Sequence, residues 1–277
     1  MRIRRIAALL LGLLASPLAQ ADMLVLVHGW RAGADTWIAS GVLPTLAQHG
    51  WADAGVLVAT AGGTAHLPAW GDSAARRVYR VQLPAEAPLE IQAAHLYAQL
   101  DYLRQRHPED RLILAGHSAG GVVSRLILVR PGAPRVDGLV TIASPNLGTE
   151  RALQGLDVVD DQPFFCPGPG IRFLKTLFGG DDFHYLEHSR GALVGLTPAA
   201  PGSLIGWLNA QPHPDIRYVS VVRTAPGYAG DAIVPGFSQD LNQVPALRGR
   251  AQVYVTPAGH GLNPADGMLL ATILEQV

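Results

Sequence analysis

The sequence contains a single cysteine, Cys166, among its 277 residues. An intramolecular disulfide is therefore excluded, and we interpret Cys166 as a half-buried side chain, with pairing between chains or a thiol role as the alternatives. Lysine is equally scarce, since Lys175 is the only lysine among 21 cationic residues. The net charge is −1. Because no long-range field then attracts nucleic acid or an anionic membrane, we expect no nucleic-acid partner.

The chain also lacks long hydrophobic runs beyond its N-terminus. Three arginines within the first five residues precede an apolar run over residues 6–14, and a small-x-small pattern ends at Ala21. This order is typical of a signal peptide, and we expect residues 1–21 to be removed near Ala21 in a secreted or periplasmic protein. The apolar run is too short to span a bilayer stably, although a retained N-terminal anchor is the alternative.

Hydrophobic residues make up 48% of the chain, enough for one large α/β domain with room for an insertion. Continuous apolar runs without alternation predict parallel strands that are buried on both faces. The predicted strands cover residues 23–27, 55–60, 112–115, 136–144, 216–222 and 251–256, with a shorter extended piece at 77–83. Helices are predicted over residues 35–49, 89–106 and 122–129, and from 265 onward.

A Gly-x-Ser-x-Gly pattern, Gly116 to Gly120, lies between a predicted strand and a predicted helix. Because Gly116 and Gly120 lack β-carbons, strand and helix can approach closely and leave the hydroxyl of Ser118 exposed on a sharp turn. The first N–H groups of the following helix have no intrahelical partner, so they can receive developing negative charge. The alternative is that Ser118 is only a helix N-cap in a glycine-rich turn.

An acid and a histidine follow later in the chain, each directly after a predicted strand. Asp231 lies in a Gly-Asp-x-Ile-Val-Pro loop, and His260 lies between two glycines. Loops at the carboxyl ends of parallel strands meet at one edge of a sheet. A serine hydroxyl needs a base held by a carboxylate. We therefore predict Ser118 as nucleophile, His260 as base and Asp231 as the acid that orients it, with Asp240 as the rival acid.

These motifs resemble those of the α/β-hydrolase superfamily, in particular secreted bacterial triacylglycerol lipases and lipase-like esterases. The resemblance extends to His28-Gly29 after the first strand and to Ser144-Pro145 at the end of the predicted strand 136–144. It implies a mostly parallel central sheet flanked by helices over residues 22–277, with a lid or cap insertion after the sixth strand. It also implies an oxyanion hole made by the backbone N–H groups of Trp30 and Ala119. We interpret His28 as a structural histidine that braces the loop and not as the catalytic base, because His260 is the better candidate.

The chain departs from those lipases at two points. Leu262 stands where they often carry a calcium-binding aspartate, and the single cysteine precludes their common disulfide. His184 and His188 are four residues apart, but no third ligand has a clear spacing to them. We therefore expect neither a metal nor a cofactor. His117, beside the serine, is interpreted as a spacer that points away from the site.

Residues 150–214 contain no strand-like run and are predicted to form the lid or cap. Five of the six phenylalanines lie between 164 and 183. An aromatic lid could shelter the site and contact an acyl chain or, transiently, a lipid interface. The alternative is that these rings only pack the insertion onto the core. The candidate substrate-binding residues are Phe164, Phe165, Phe173 and Phe178.

These observations together predict an exported serine hydrolase that cleaves carboxylic esters, favouring lipid or acyl esters. An acyltransferase, a thioesterase or an amidase would use the same triad, because all form an acyl-enzyme. A non-catalytic binding relative is disfavoured because the serine, acid and histidine are all present. The natural substrate, the acyl-chain length and the oligomeric state are left open by the sequence.

Overall fold

One eight-stranded sheet organises the computed structural model, which describes residues 21–160 and 183–276. Its strands in chain order are β1 (Asp22–Val27), β2 (Ala52–Thr60), β3 (Gly63–Pro68), β4 (Arg76–Val81), β5 (Arg111–His117), β6 (Gly138–Ile142), β7 (Arg217–Arg223) and β8 (Ala251–Thr256). They are arranged as β3-β2-β4-β1-β5-β6-β7-β8. All neighbours are parallel except β2 and β3. The predicted α/β fold with a mostly parallel sheet is confirmed.

The carboxyl ends of the central strands are level with one another, and this positions the candidate site. Val27 at the end of β1 lies opposite Gly116 of β5. His117, the next residue, lies opposite Ile142 at the end of β6, and Ile142 in turn lies opposite Val221 of β7. The loops that follow these strands therefore leave the sheet side by side.

Helices cover both faces of the sheet. The helices before β6 are α1 (Thr36–Ala39), α2 (Val42–Gln48), α3 (Leu89–Arg106) and α4 (Ala119–Leu128). The later ones are α5 (Glu150–Asp160), α6 (Phe183–His188), α7 (Arg190–Gly195), α8 (Leu204–Ala210), α9 (Gly236–Gln239) and α10 (Pro264–Leu274). Helices α3 and α4 pack together over one face, and α2 and α10 pack together over the other. Two separate apolar clusters result, and this is why the central strands are apolar on both sides.

Two local predictions differ from the structure. The single helix predicted over residues 35–49 is the pair α1 and α2, because Gly41 adopts a φ of +78° between them. A β-carbon at Gly41 would lie 2.8 Å from the Pro264 side chain, so the turn there requires glycine. Strand β3 was not predicted. It pairs antiparallel with β2 at the sheet edge, has no buried residue and lacks the apolar run used to find the other strands.

In the described residues between β6 and β7, helices α5 to α8 alternate with turns and irregular loops and no strand occurs, in agreement with the absence of strand-like runs. Residues 161–182 lie outside the described residues, and with them Cys166, Phe164, Phe165, Phe173 and Phe178. The predicted signal peptide also lies there, except for Ala21. The lid and the signal peptide therefore stay predictions. Within the described ranges, no helix has both the length and the apolar character needed to cross a membrane.

Candidate active site

Ser118 lies at the sharp turn between β5 and α4. Its backbone has φ +53° and ψ −127°, a conformation that L-residues rarely adopt and that requires support from neighbouring structure. A β-carbon on Gly116 would lie 2.5 Å from the backbone nitrogen of Gly121, and one on Gly120 would lie 2.3 Å from the carbonyl oxygen of Val27. The two glycines thus let α4 approach both its own strand and the end of β1.

The side chains of Ser118, His260 and Asp231 form one row across the carboxyl edge of the sheet. His260 Nε2 lies 2.9 Å from Ser118 Oγ, and His260 Nδ1 lies 2.9 Å from Asp231 Oδ2. An ionised carboxylate can only accept hydrogen bonds, so Nδ1 carries the proton and Nε2 is left to accept from the serine hydroxyl. The three loops follow β5, β7 and β8 and bring together residues up to 142 positions apart.

The Asp231 carboxylate is held on both oxygens. Oδ1 accepts 2.7 Å hydrogen bonds from the backbone N–H groups of Ile233 and Val234, while Oδ2 accepts from Gln239 Nε2 at 3.1 Å and from His260. Its side chain is fully buried. Burial alone would raise its pKa, but the hydrogen bond and charge of His260, followed by the two backbone donors, outweigh burial and lower the pKa. Asp231 is therefore ionised at neutral pH.

The loop after β1 runs directly beside the serine turn. A β-carbon on Gly29 would lie 2.9 Å from Ser118 Cβ and 3.5 Å from the backbone nitrogen of Ala119. Trp30 follows Gly29 and lines the same cavity as Ser118. Ala119 is the first residue of α4, where backbone N–H groups have no intrahelical acceptor. The two predicted oxyanion donors thus belong to segments that meet at Ser118.

His28 is engaged away from the serine. Its Nε2 accepts a 3.0 Å hydrogen bond from the backbone N–H of Leu83, and its Nδ1 lies 2.9 Å from the Gly29 carbonyl oxygen. Burial lowers its pKa, against the opposing effect of the bond to Gly29, so the ring is neutral. Both nitrogens are occupied, as expected for a histidine that braces this loop.

Asp240 and His117 are not part of the hydrogen-bonded row of Ser118, His260 and Asp231. Asp240, the rival acid, accepts a hydrogen bond from the backbone N–H of Asn242 and caps the short 3₁₀ helix Leu241–Gln243. The interpretation of His117 as a spacer is wrong. Its Nε2 lies 2.8 Å from the backbone carbonyl oxygen of His260, so it contacts the loop of the candidate base.

A cavity of about 270 Å³ opens beside Ser118 and His260. Apolar side chains from α6, α7 and the Asp231 loop, together with Gly155 of α5, make most of its wall. The lining residues are Trp30, Arg31, Pro145, Thr149, Arg151, Ala152, Gly155, Leu186, Leu193, Leu196, Ile233 and Val234. Apart from Trp30, predicted as an oxyanion donor, these residues were not predicted to bind substrate, because that prediction rested on aromatic composition. The apolar positions 186, 193 and 196 were the available signal.

In the parts of the chain that the structure describes, no group of three or more histidine, cysteine, aspartate or glutamate side chains could hold a metal ion. Leu262, at the position of the calcium-binding aspartate in the lipases named above, packs against the apolar cluster shared by α2 and α10. His188 lies at the end of α6, the helix that also contains His184.

Comparisons with known proteins agree with this architecture. No curated protein sequence matches the chain. The lin2722 gene product of Listeria innocua has a similar structure (TM-score 0.61, 15% identity, 93% of this chain and 95% of that one). So does the mature lipase BlEst2 of Bacillus licheniformis (TM-score 0.60, 16% identity, 94% and 92%). A metagenomic carboxyl esterase, MGS0156, is also similar (TM-score 0.53, 14% identity, 93% and 76%). At these identities the similarity shows the fold alone.

A family model described as the alpha/beta hydrolase fold matches residues 22–161. The matched segment is just over half of the 277 residues. It begins with β1 and contains the β5–Ser118–α4 turn, so it includes the elements that position the candidate nucleophile. The chain therefore belongs to the α/β-hydrolase fold family.

Proposed function

We propose that the protein is a serine hydrolase that cleaves carboxylic esters with an apolar acyl group. The observation that carries the proposal is the unbroken hydrogen-bonded row from Asp231 through His260 to Ser118, with 2.9 Å at each step. Geometry of this kind activates a hydroxyl that is otherwise a weak nucleophile at neutral pH.

In the proposed reaction, Ser118 Oγ attacks the acyl carbon while His260 Nε2 takes its proton. The bond to the leaving alcohol then breaks, and His260 returns the proton to the alcohol oxygen. Water attacks the resulting acyl-enzyme with His260 again as base, which releases the acid and restores the serine. Asp231 keeps His260 in the required tautomer and stabilises its protonated form.

The backbone N–H groups of Trp30 and Ala119 are proposed to bind the negative oxygen of the tetrahedral intermediate. Each such donor contributes on the order of 3 kcal/mol to lowering the barrier. The approach of Gly29 to Ser118 supports this assignment, because it brings the loop that contains Trp30 to the start of α4.

The acyl group is proposed to occupy the 270 Å³ cavity beside Ser118, whose wall is mainly apolar. Lipid or other acyl esters fit such a wall better than polar acyl groups, because binding removes apolar surface from water. The phenylalanine-rich lid over residues 150–214 and a transient contact with a lipid interface remain part of the proposal. Export through the predicted signal peptide is proposed on the sequence pattern.

The test is hydrolysis of p-nitrophenyl esters from acetate to palmitate by the wild-type protein and by Ser118→Ala. We expect kcat to fall by about 10⁵ to 10⁶ in the variant, the scale seen when a serine nucleophile is removed. Activity that increases with chain length would support the acyl cavity. Full activity in Ser118→Ala would overturn the proposal.

A labelling experiment separates the remaining alternatives. A fluorophosphonate probe should modify the wild type and not Ser118→Ala, whereas a non-catalytic relative would not be labelled at Ser118. Supplying alcohols, thioesters or amides to the same preparation then tests for acyl transfer, thioesterase and amidase activity, which share the acyl-enzyme.

A further inference from the structure

Gln239, the last residue of α9, is a buried glutamine that touches the candidate triad. Its side chain is completely buried, and its Nε2 lies 3.1 Å from Asp231 Oδ2, the same oxygen that accepts from His260. The second Nε2 proton is donated to the Val234 carbonyl oxygen at 2.8 Å. Both donors of the amide are therefore used on the loop that carries Asp231.

The orientation of the amide is determined by its third contact. Gln239 Oε1 accepts a 2.7 Å hydrogen bond from the backbone N–H of Arg223, the last residue of β7. The opposite orientation would bring the amide NH₂ against that N–H, donor against donor. Arg223 is itself fixed, because its guanidinium makes two 2.8 Å hydrogen bonds to the buried Asp266 carboxylate. The amide thus links a rigid strand end to the acid.

We propose that Gln239 is a positioning residue of the triad, which orients Asp231 through its Nε2–H and so keeps His260 aligned with Ser118. The inference rests on the proposed function. Oδ1 is already occupied by two backbone donors, so the donor from Gln239 leaves Oδ2 one remaining direction, toward His260. Without that donor Oδ2 is held by His260 alone, so the carboxylate can turn away from its aligned position, and one of its acceptor positions is left unsatisfied in a fully buried site.

The first variant is Gln239→Met, which keeps the length of the side chain and removes both donors. A hydrogen bond to a charged group is worth about 1.5 to 3 kcal/mol, so we expect kcat to fall about 10- to 100-fold with KM within about threefold of wild type. The matched control is Gln99→Met. Gln99 of α3 is equally buried and donates only to the carbonyl oxygens of Leu57 and Gln82, so kcat should stay unchanged.

The second variant is Gln239→Glu, which separates positioning from packing by its pH dependence. A glutamate still accepts from the Arg223 N–H, but its second oxygen faces Oδ2 of Asp231 with like charge. At low pH the glutamate protonates and can donate to Oδ2 again. We expect the ratio of variant to wild-type kcat to rise as pH falls, an effect that loss of packing alone would not produce.

The closing measurement does not depend on a substrate. Proton NMR detects the low-field resonance of the His260 Nδ1–H that bonds to Asp231. It should be present in the wild type and in Gln99→Met and should broaden or vanish in Gln239→Met. Wild-type resonance and kcat in both Gln239 variants would overturn the inference, as would an equal loss in Gln99→Met. If the wild type hydrolyses no ester, the proposed function fails, while the resonance still decides the role of Gln239.

Discussion

The imidazole of His117 lies against that of His260, with ring centroids 5.2 Å apart, and its Nε2 donates a 2.8 Å hydrogen bond to the His260 backbone carbonyl. A carbonyl oxygen only accepts, so the proton of His117 is on Nε2. Burial, and then repulsion from the His260 charge, lower the pKa of His117 to about 3. His117 therefore stays neutral when its neighbour is protonated.

This contact predicts the effect of His117→Phe. The substitution leaves the carbonyl of His260 without this side-chain donor, so the loop after β8 loosens. We expect kcat to fall about tenfold, because a neutral hydrogen bond contributes about 1 kcal/mol and its loss leaves an unpaired acceptor. His117→Gln retains an amide N–H and should recover most of kcat. Equal loss in both variants would show that the hydrogen bond is not the cause.

Asp231→Asn should lower kcat by about 10³- to 10⁴-fold, the range known for such a change in a serine triad. The side-chain oxygen of the variant can still accept hydrogen bonds from the backbone N–H groups of Ile233 and Val234. The new amide NH₂ would then face His260 Nδ1. His260 would then carry its proton on Nε2 and could not accept one from Ser118. Kinetics of ester hydrolysis measure the loss.

Asp240→Asn is the matched control for that variant. Asparagine caps a helix as well as aspartate does, so the hydrogen bond to Asn242 is kept and activity should stay near wild type. A large loss in Asp240→Asn together with an active Asp231→Asn would reverse the assignment of the acid.

Gly29→Ala should reduce kcat by displacing the loop that contains Trp30. The added β-carbon would lie 2.9 Å from Ser118 Cβ and 3.0 Å from the His117 carbonyl oxygen, so the loop must move away from the serine. An oxyanion donor moved out of place costs up to about 10²- to 10³-fold in kcat. Gly62→Ala is the control, since its nearest contact would be Thr60 Oγ1 at 3.8 Å. Equal kinetics for the two variants would contradict the predicted role of this loop.

Gly155→Leu should shift the chain-length preference toward short acyl esters. Gly155 lines the cavity, and even a β-carbon there would lie 3.2 Å from Leu193 Cδ1, so a larger side chain must extend into the open space. We expect the ratio of palmitate to acetate hydrolysis to fall about tenfold or more, because the lost space excludes several methylenes at about 0.8 kcal/mol each. Asp157→Asn, on an exposed position of the same helix, should leave the ratio unchanged.

Acidification should destabilise the fold through His213. Burial, and then the charge of Arg125, lower its pKa from 6.5 to about 4. Between pH 6.5 and about pH 4, His213 is protonated in the unfolded chain and neutral in the folded chain. The free energy of unfolding therefore falls as pH falls. The contribution of His213 is about 2 to 3 kcal/mol between pH 7.5 and pH 4.5. Urea unfolding at both pH values should show a smaller difference for His213→Asn than for wild type.

The elements that were predicted well from the sequence are those whose residue pattern lies within a few neighbouring positions of the chain. Strand β8 was predicted over 251–256 and is observed as Ala251–Thr256, and α3 matches its predicted range of 89–106. The residues that α3 buries recur three and four positions apart. Strand β8 has no buried residue, but it is rich in the β-branched and aromatic residues that favour strands, and neighbouring residues encode both patterns. The exposed edge strand β3 has no such pattern, and a single glycine, Gly41, divides α1 from α2.

The α/β architecture and the loops in which Ser118, Asp231 and His260 lie follow from the amino-acid sequence, because the order of elements along the chain and the positions of motifs are local properties. The distances among these three residues, the contact of His117 and the hydrogen bond from Gln239 to Asp231 emerge only when the chain is folded. Those contacts depend on the register of parallel strands and on loops that cross between them, and no spacing in one chain specifies either.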